Sequence, residues 1–260
     1  MQVAGANIVV TGASSGIGAA LAPALAEAGA TVGIVARRAD RLAEVLERCR
    51  AHAPGSQMFV ADLGDPEGAE ALALRMWDEM GGVDVLVNNA AIPKRRAVAE
   101  LTVAELQETM ATNFESPVRM TMALLPKWLE RDRGQVVNVS SFGGRAGIFH
   151  EAAYCASKFA LAGWSEGMFL DLEHTGVEVQ LVLPGAIETE IWDVPGNDPA
   201  AVEVDKYPAS DFARDLIVAM ESGRFEHYIP DMQPLIVDKT KDSDAFLRGM
   251  AAYARSVHTP

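Results

Sequence analysis

Short runs rich in β-branched residues alternate with longer amphipathic segments along this chain, and that alternation restricts its possible folds more than any single motif does. The runs at 8–11, 31–36, 58–61, 83–88, 135–139 and 177–183 predict strands. The segments 18–28, 40–52, 66–80, 103–131 and 152–174 carry apolar residues at helical spacing. The strands are nearly continuous apolar runs, the pattern of strands covered on both faces. Repeated strand–helix units joined by right-handed crossovers make a doubly wound α/β sandwich: a parallel sheet of about seven strands with helices on both faces. A further strand at 226–229 lies between helices at 210–222 and 243–255. Pro126 is expected to kink or end the long helix that contains it.

With 260 residues the chain is read as a single domain over 1–260. Residues 184–210 break the regularity with Pro184, Pro195, Pro199, Pro208, Gly185 and Gly196, which predicts a long loop, with a substrate lid over about 186–210. A formal charge of −14 repels phosphate backbones and argues against nucleic-acid partners. No run of 18 apolar residues occurs, so no membrane span is expected. The N-terminal stretch lacks the basic region of a secretory signal. Cys49 and Cys155 are too few for a disulfide scaffold, and no Cys/His pattern has metal-ligand spacing. These features predict a cytoplasmic protein acting on small molecules, without a metal site.

The first predicted strand runs into Thr11-Gly12-Ala13-Ser14-Ser15-Gly16-Ile17-Gly18, which opens a helix. Glycines permit a tight turn and let backbone N–H groups approach a pyrophosphate. The helix N-terminus behind them offers unpaired donors and a positive dipole end to the same anion. Close packing alone also explains three glycines at such a turn.

Tyr154 and Lys158 stand one helical turn apart and project from one face of the helix over 152–174. A phenol titrates near 10, but an ammonium about 4 Å away at an effective dielectric near 20 favours the phenolate by up to roughly 4 kcal/mol. Two pK units need only about 2.7 kcal/mol, so the lysine is expected to make Tyr154 a proton donor and acceptor near neutrality. Ser141, at the end of the strand over 135–139, lies where parallel sheets place their sites, able to share a substrate oxygen with Tyr154.

Together these residues resemble the short-chain dehydrogenase/reductase family in its compact form, over nearly the whole chain. Gly12, Ser14, Ser15, Gly16, Ile17 and Gly18 look like its cofactor turn, and Asp62-Leu63 resembles the pair beside the adenine. Asn88-Asn89-Ala90-Ala91 is similar to its Asn-Asn-Ala-Gly element, with Ala91 in place of the usual Gly. Ser141, Tyr154 and Lys158 match its catalytic serine and Tyr-x-x-x-Lys pair, and Asn113 matches an asparagine that organises a proton relay. Pro184, Gly185, Ile187 and Thr189 resemble the segment that contacts the nicotinamide carboxamide. The resemblance implies a Rossmann domain that transfers a hydride between a nicotinamide cofactor and a carbonyl or secondary alcohol. It also implies a homodimer or homotetramer paired through the helices over 103–131 and 152–174. There Met120, Leu124, Trp128, Met168, Phe169 and Leu172 offer more large apolar residues than one sheet face needs.

The second strand ends at Ala36, where an NAD-selective site of this fold carries a carboxylate, and Arg37 and Arg38 follow. Guanidinium groups suit a 2′-phosphate, so NADP is expected over NAD, with Asp40 nearby as a contrary charge. Phe142, Phe149, His150, Ile191 and Trp192 are candidate walls of an apolar substrate pocket, although His150 is read as a loop residue without catalytic duty. Glu188 and Glu190 are read as solvated lid charges, Lys94, Arg95 and Arg96 as a solvated basic run, and Cys155 as core. Two other functions fit the same fold. One is a nucleotide-binding regulator without catalysis, which is expected to lack one of Ser141, Tyr154 or Lys158. The other is a sugar-nucleotide epimerase or dehydratase, whose glycine spacing and larger C-terminal part this chain does not share.

Overall fold

The computed structural model describes residues 1–200 and 204–258. Its sheet is formed by β1 (Asn7–Thr11), β2 (Thr31–Ala36), β3 (Gln57–Val60), β4 (Val85–Asn88), β5 (Gly134–Val139), β6 (Val177–Pro184) and β7 (Glu226–Ile229). These run in spatial order β3-β2-β1-β4-β5-β6-β7, every pair parallel. The helices are α1 (Gly16–Glu27), α2 (Ala39–Arg50), α3 (Pro66–Glu79), α4 (Val103–Met110), α5 (Ser116–Glu130), α6 (Ala152–Leu172), α7 (Ala209–Glu221), α8 (Gln233–Lys241) and α9 (Ser243–His258). Among the described residues no helix is long and apolar enough to cross a membrane.

Successive strand side chains point to opposite faces, so β1 and β2 feed two cores at once. Ile8, Val10 and Ile34 pack with Leu21 and Leu25 of α1, Leu42 of α2 and Phe212 and Leu216 of α7. Val9, Val35, Leu86 and Val136 pack on the other side with Leu72 and Met76 of α3 and Met120, Leu124 and Trp128 of α5. The expectation of strands covered on both faces holds for the inner five. At β3, the edge strand, Met58 and Val60 are exposed.

The helix expected over 103–131 is interrupted, but not at Pro126. α4 and α5 are joined by a π-helical turn, Ala111–Glu115, and α5 runs through Pro126 to Glu130. Proline leaves the carbonyl four residues earlier unpaired. That residue is Met122, which is exposed, so water can satisfy the carbonyl. The apolar residues expected to face a partner pack inward instead. Met120, Leu124 and Trp128 are fully buried and Met168 and Leu172 nearly so. Phe169 leans on Phe225, with ring centroids 4.9 Å apart. α8 was absent from the sequence reading, its nine residues being too polar to show a periodic face.

The chain lays down β1, β2 and β3 toward one edge and then crosses to β4 on the other side of β1. At that reversal the connections leaving β1 and β4 turn to opposite faces of the sheet and leave a crevice, the usual ligand position in such sheets. On the far side of the sheet, Trp128 donates from Nε1 to the Val83 carbonyl at 2.7 Å. Its ring lies so close to Gly134 that a Cβ there would come within 2.2 Å of it. Trp128→Ala removes this packing and is expected to cost about 3–5 kcal/mol in urea unfolding. A loss below about 1 kcal/mol would mean that the site collapses around the missing ring.

Candidate active site

The crevice is built by close backbone approach. Gly12 has φ +69°, and a Cβ on it would lie 2.7 Å from the Ala90 Cα, while one on Gly18 would lie 2.5 Å from the Gly12 carbonyl oxygen. Thr11 holds the two strand ends together. Its hydroxyl donates to the Val87 carbonyl at 3.2 Å and accepts from the N–H groups of Asn89 (2.9 Å) and Ala90 (3.0 Å). Asn89 returns a bond from Nδ2 to the Thr11 carbonyl at 2.8 Å. The turn is thereby locked with its glycine backbone open to the crevice.

A cavity of about 1180 Å³ occupies the crevice. Gly12, Ser14, Ser15, Gly16 and Ile17 line it, with Arg37, Arg38, Asp62, Leu63, Asn89, Ala90, Pro184, Gly185, Ile187 and Thr189. Ser141, Tyr154 and Lys158 line the same cavity. Gly18 does not, and serves the tight packing of the turn. The cradle fits a dinucleotide: Gly12 and Gly16 line the cavity with no side chain of their own, at the N-terminus of α1, and the volume exceeds that of an ordinary small-molecule pocket.

Ser141, Tyr154 and Lys158 are brought together by the approach of the β5 loop to α6. A Cβ on Gly144 would meet Ser140 Oγ at 2.3 Å and the Lys158 carbonyl oxygen at 2.9 Å, so only glycine lets the loop lie this close. The Ser141 hydroxyl accepts from Gly143 N–H at 3.0 Å and is hydrogen-bonded to Tyr154. Lys158 is 2% exposed and donates from Nζ to the Val139 carbonyl at 2.9 Å. Asn113 sits in the π-helical turn, fully buried and outside the cavity lining. Its amide donates to the Ile92 carbonyl (3.0 Å) and Ser157 (3.1 Å) and accepts from Ile92 N–H (2.8 Å), tying the β4 loop to α6.

With that geometry in place, residues 6–198 match the family described as short chain dehydrogenase. The chain belongs to that family. It is 34% identical over 183 residues to the ketoacyl reductase HetN of Nostoc sp., a match spanning 70% of this chain and 64% of that relative's length. A short-chain dehydrogenase from Sphingobium yanoikuyae, solved in complex with NADPH, superposes with a TM-score of 0.82 at 26% identity, covering 94% of this chain and 95% of that one. Another from Burkholderia phymatum, solved with NAD, shares the fold with a TM-score of 0.85 at 22% identity, covering 94% of this chain and 96% of that one. The chain is thus an NAD(P)-dependent oxidoreductase.

In this short-chain dehydrogenase the electrostatics of the tyrosine and lysine differ from the expectation. Lys158 Nζ is 5.8 Å from the Tyr154 ring centroid and donates to the Val139 carbonyl. Burial lowers the Lys158 pKa to about 7, so it is not a permanent ammonium at neutrality. Tyr154 keeps part of its ring surface on the cavity, yet close-packed protein desolvates the phenol and pushes its pKa above 10, with the Ser141 hydrogen bond pulling the other way.

Several residues differ from their sequence reading. Arg95 is not a solvated charge: it is 3% exposed, lines the cavity, and donates to the carbonyls of Asp198 (2.9 Å), Ile191 (3.2 Å) and Trp192 (2.7 Å). Lys94 and Arg96 pair with Glu105, at 3.5 and 3.4 Å. Glu190 is not a free lid charge but bridges Arg38 and Arg41. Phe142, Phe149, Ile191 and Trp192 line the cavity; His150 does not, and stacks on Phe149 at 4.1 Å between centroids. Cys155 is buried as expected. The sequence reading missed Glu151 and the wall supplied by Met232, Leu235, Phe246, Leu247 and Met250. The apolar face of α9 was the available signal, but nothing local shows that it folds back over the crevice.

Glu151 lies on the cavity three residues before Tyr154, and burial raises its pKa to about 7 against the opposing charge of Arg95. A carboxyl whose pKa is raised on folding contributes stability that is full below about 4.5 and lost as pH rises through 7. Lys158, lowered on folding, acts in the next window: the unfolded chain binds the extra proton between about 7 and 10.5, so stability rises there. Glu151→Gln should flatten the fall between pH 5 and 7.5 by on the order of 1–3 kcal/mol. Urea titrations of wild type and variant at both pH values measure it, since all other groups are common to the two proteins. Parallel pH profiles would show that Glu151 is not buried enough to matter.

Proposed function

We propose that this chain transfers a hydride between NADP(H) and the carbonyl or secondary alcohol carbon of a largely apolar small molecule. The observation that carries this reading is the convergence of Ser141, Tyr154 and Lys158 on the cavity that the glycine turn opens into. When bound, the nicotinamide supplies or takes the hydride. Gly12, Ser14, Ser15, Gly16 and Ile17 would cradle the pyrophosphate, Asp62 and Leu63 the adenine, and Pro184, Gly185, Ile187 and Thr189 the nicotinamide end. Asn89 and Ala90 would close the floor beneath the cofactor.

In the reductive direction Tyr154 O–H delivers the proton to the substrate oxygen, and Ser141 O–H holds that oxygen by a second hydrogen bond. Lys158, lowered to about 7 by burial, exchanges protons at neutral pH and would hold the nicotinamide ribose. Asn113 is a positioning residue: its bonds to Ile92 and Ser157 fix the β4 loop against α6. The apolar wall from Phe142, Trp192, Leu235 and Phe246 favours a substrate with substantial hydrocarbon surface. We read residues 1–260 as one catalytic domain with a substrate lid over about 186–210. Arg95 holds the first half of that lid through its three backbone carbonyl bonds.

The NADP preference is supported by Arg38, which lines the cavity and donates to Ser14 (3.2 Å) and Ser15 (2.7 Å) beside the position of a ribose 2′ substituent. Arg37, on the same wall, is 3.6 Å from Asp62. A homodimer or homotetramer is supported by Met122 and Leu129 of α5 and Leu170 of α6, which stay exposed on those helices. The unpaired Cys49 and Cys155 fit the reducing cytoplasm.

Tyr154→Phe removes only the phenolic proton and should lower turnover 10²–10⁴-fold while leaving cofactor affinity within about twofold. A screen of carbonyl compounds by loss of reduced-nicotinamide absorbance supplies the assay, and a variant with more than a tenth of wild-type activity would rule out this role. Wild type should bind NADPH at least about tenfold more tightly than NADH. Arg38→Ala should erase most of that preference in fluorescence titrations; equal wild-type affinities would sink the NADP assignment.

A further inference from the structure

Glu190 is the first residue of the one-turn helix Glu190–Asp193, directly after Thr189. The Thr189 side chain lies against the glycine turn, 3.0 Å from where a Gly16 Cβ would be, so this part of the lid rests on the cofactor cradle. Across the crevice, Arg38 uses one edge of its guanidinium on Ser14 and Ser15 and sends Nη1 to Glu190 Oε2 at 3.1 Å. Arg41 donates to the same carboxylate oxygen at 2.7 Å. The hydrogen bonds from Arg41 and Arg38 hold the Glu190 carboxyl below its ordinary range, so it is anionic throughout neutral pH.

We propose that Glu190 sets cofactor specificity by occupying Arg38 as an internal counterpart of the 2′-phosphate, so that a phosphorylated cofactor must displace the carboxylate while an unphosphorylated one need not. The proposal rests on the reading that Arg38 recognises that phosphate.

The charges around this corner support competition. Arg37, Arg38 and Arg41 face Asp62 and Glu190, leaving a surplus of one positive charge for a phosphate bearing close to two negative ones. Glu190 both fills the outward-facing donor of Arg38 and adds a negative charge where the phosphate must settle. Arg41 gives the displaced carboxylate somewhere to remain, so the exchange needs no unpaired charge. Because Glu190 joins the lid to the cradle, the exchange also loosens one lid contact when NADP(H) binds and restores it on release.

The side chains of Arg38, Arg41 and Glu190 are 42%, 43% and 55% exposed, so solvent screening keeps the effect modest. Glu190→Gln should tighten NADPH about three- to fivefold and change NADH less than twofold. Nicotinamide-fluorescence titrations with NADPH and NADH on the full chain read this in wild type, Glu190→Gln, Arg38→Ala and the double variant. The gain on NADPH should vanish when Arg38 is already alanine. Suppose wild type favours NADPH through Arg38, yet Glu190→Gln leaves the ratio unchanged or weakens both cofactors: Glu190 is then only a lid clasp, the competition is overturned, and the NADP reading stands. If wild type shows no preference and Arg38→Ala changes nothing, the NADP reading fails and the proposal with it.

Discussion

The site depends on a backbone approach too close for any side chain. Where β1 ends, Gly12 turns with positive φ beneath Ala90, and Gly18, in the first turn of α1, packs against the Gly12 carbonyl. Thr11 and Asn89 fix that approach with four hydrogen bonds between the ends of β1 and β4. Alanine at Gly12 must push the turn away from Ala90, and alanine at Gly18 must push α1 away from the turn. The parallel order of the sheet places this contact at the topological reversal, which makes it the natural mouth for an anionic ligand.

Behind the mouth, buried polar side chains are linked to one another. Asn88 donates to Asn138 at 2.9 Å, and Asn138 donates to Ser165 at 2.8 Å, linking β4, β5 and α6. Lys158 follows the same logic, its ammonium resting on the Val139 carbonyl rather than on a carboxylate. Burial without an acidic partner lowers the lysine toward neutrality, raises Glu151, and drives Tyr154 upward. The three titrating groups of this wall are therefore governed by desolvation first, with pairwise charge as a smaller correction.

The outer half of the site is held by arginines that reach across the crevice. Arg95 clasps three backbone carbonyls of the lid, and Arg38 and Arg41 share Glu190 at its near end. The carbonyl clasps hold this segment without adding a carboxylate to the cavity wall, whereas the Glu190 clasp lies among the groups that would meet the cofactor. The two clasps thus tie this segment to the cavity wall and to the glycine turn separately.

The sequence by itself determined the alternation of strands and helices, the glycine turn and the Tyr154–Lys158 spacing, because these are local: periodicity, backbone freedom and helical pitch are written within a few residues. Strand and helix ends came within a few residues for the same reason. Tertiary structure alone decided which charges are solvated. Arg95 and Glu190 look like surface residues in the chain, and only the lid's return past β4 and α2 buries one and pairs the other. It decided likewise that Met120, Leu124 and Trp128 pack inward, that α8 and α9 fold over the crevice, and that Lys158 is desolvated. Each of these outcomes depends on contacts between residues far apart in the chain, and burial, which sets both packing and charge, is a property of those contacts.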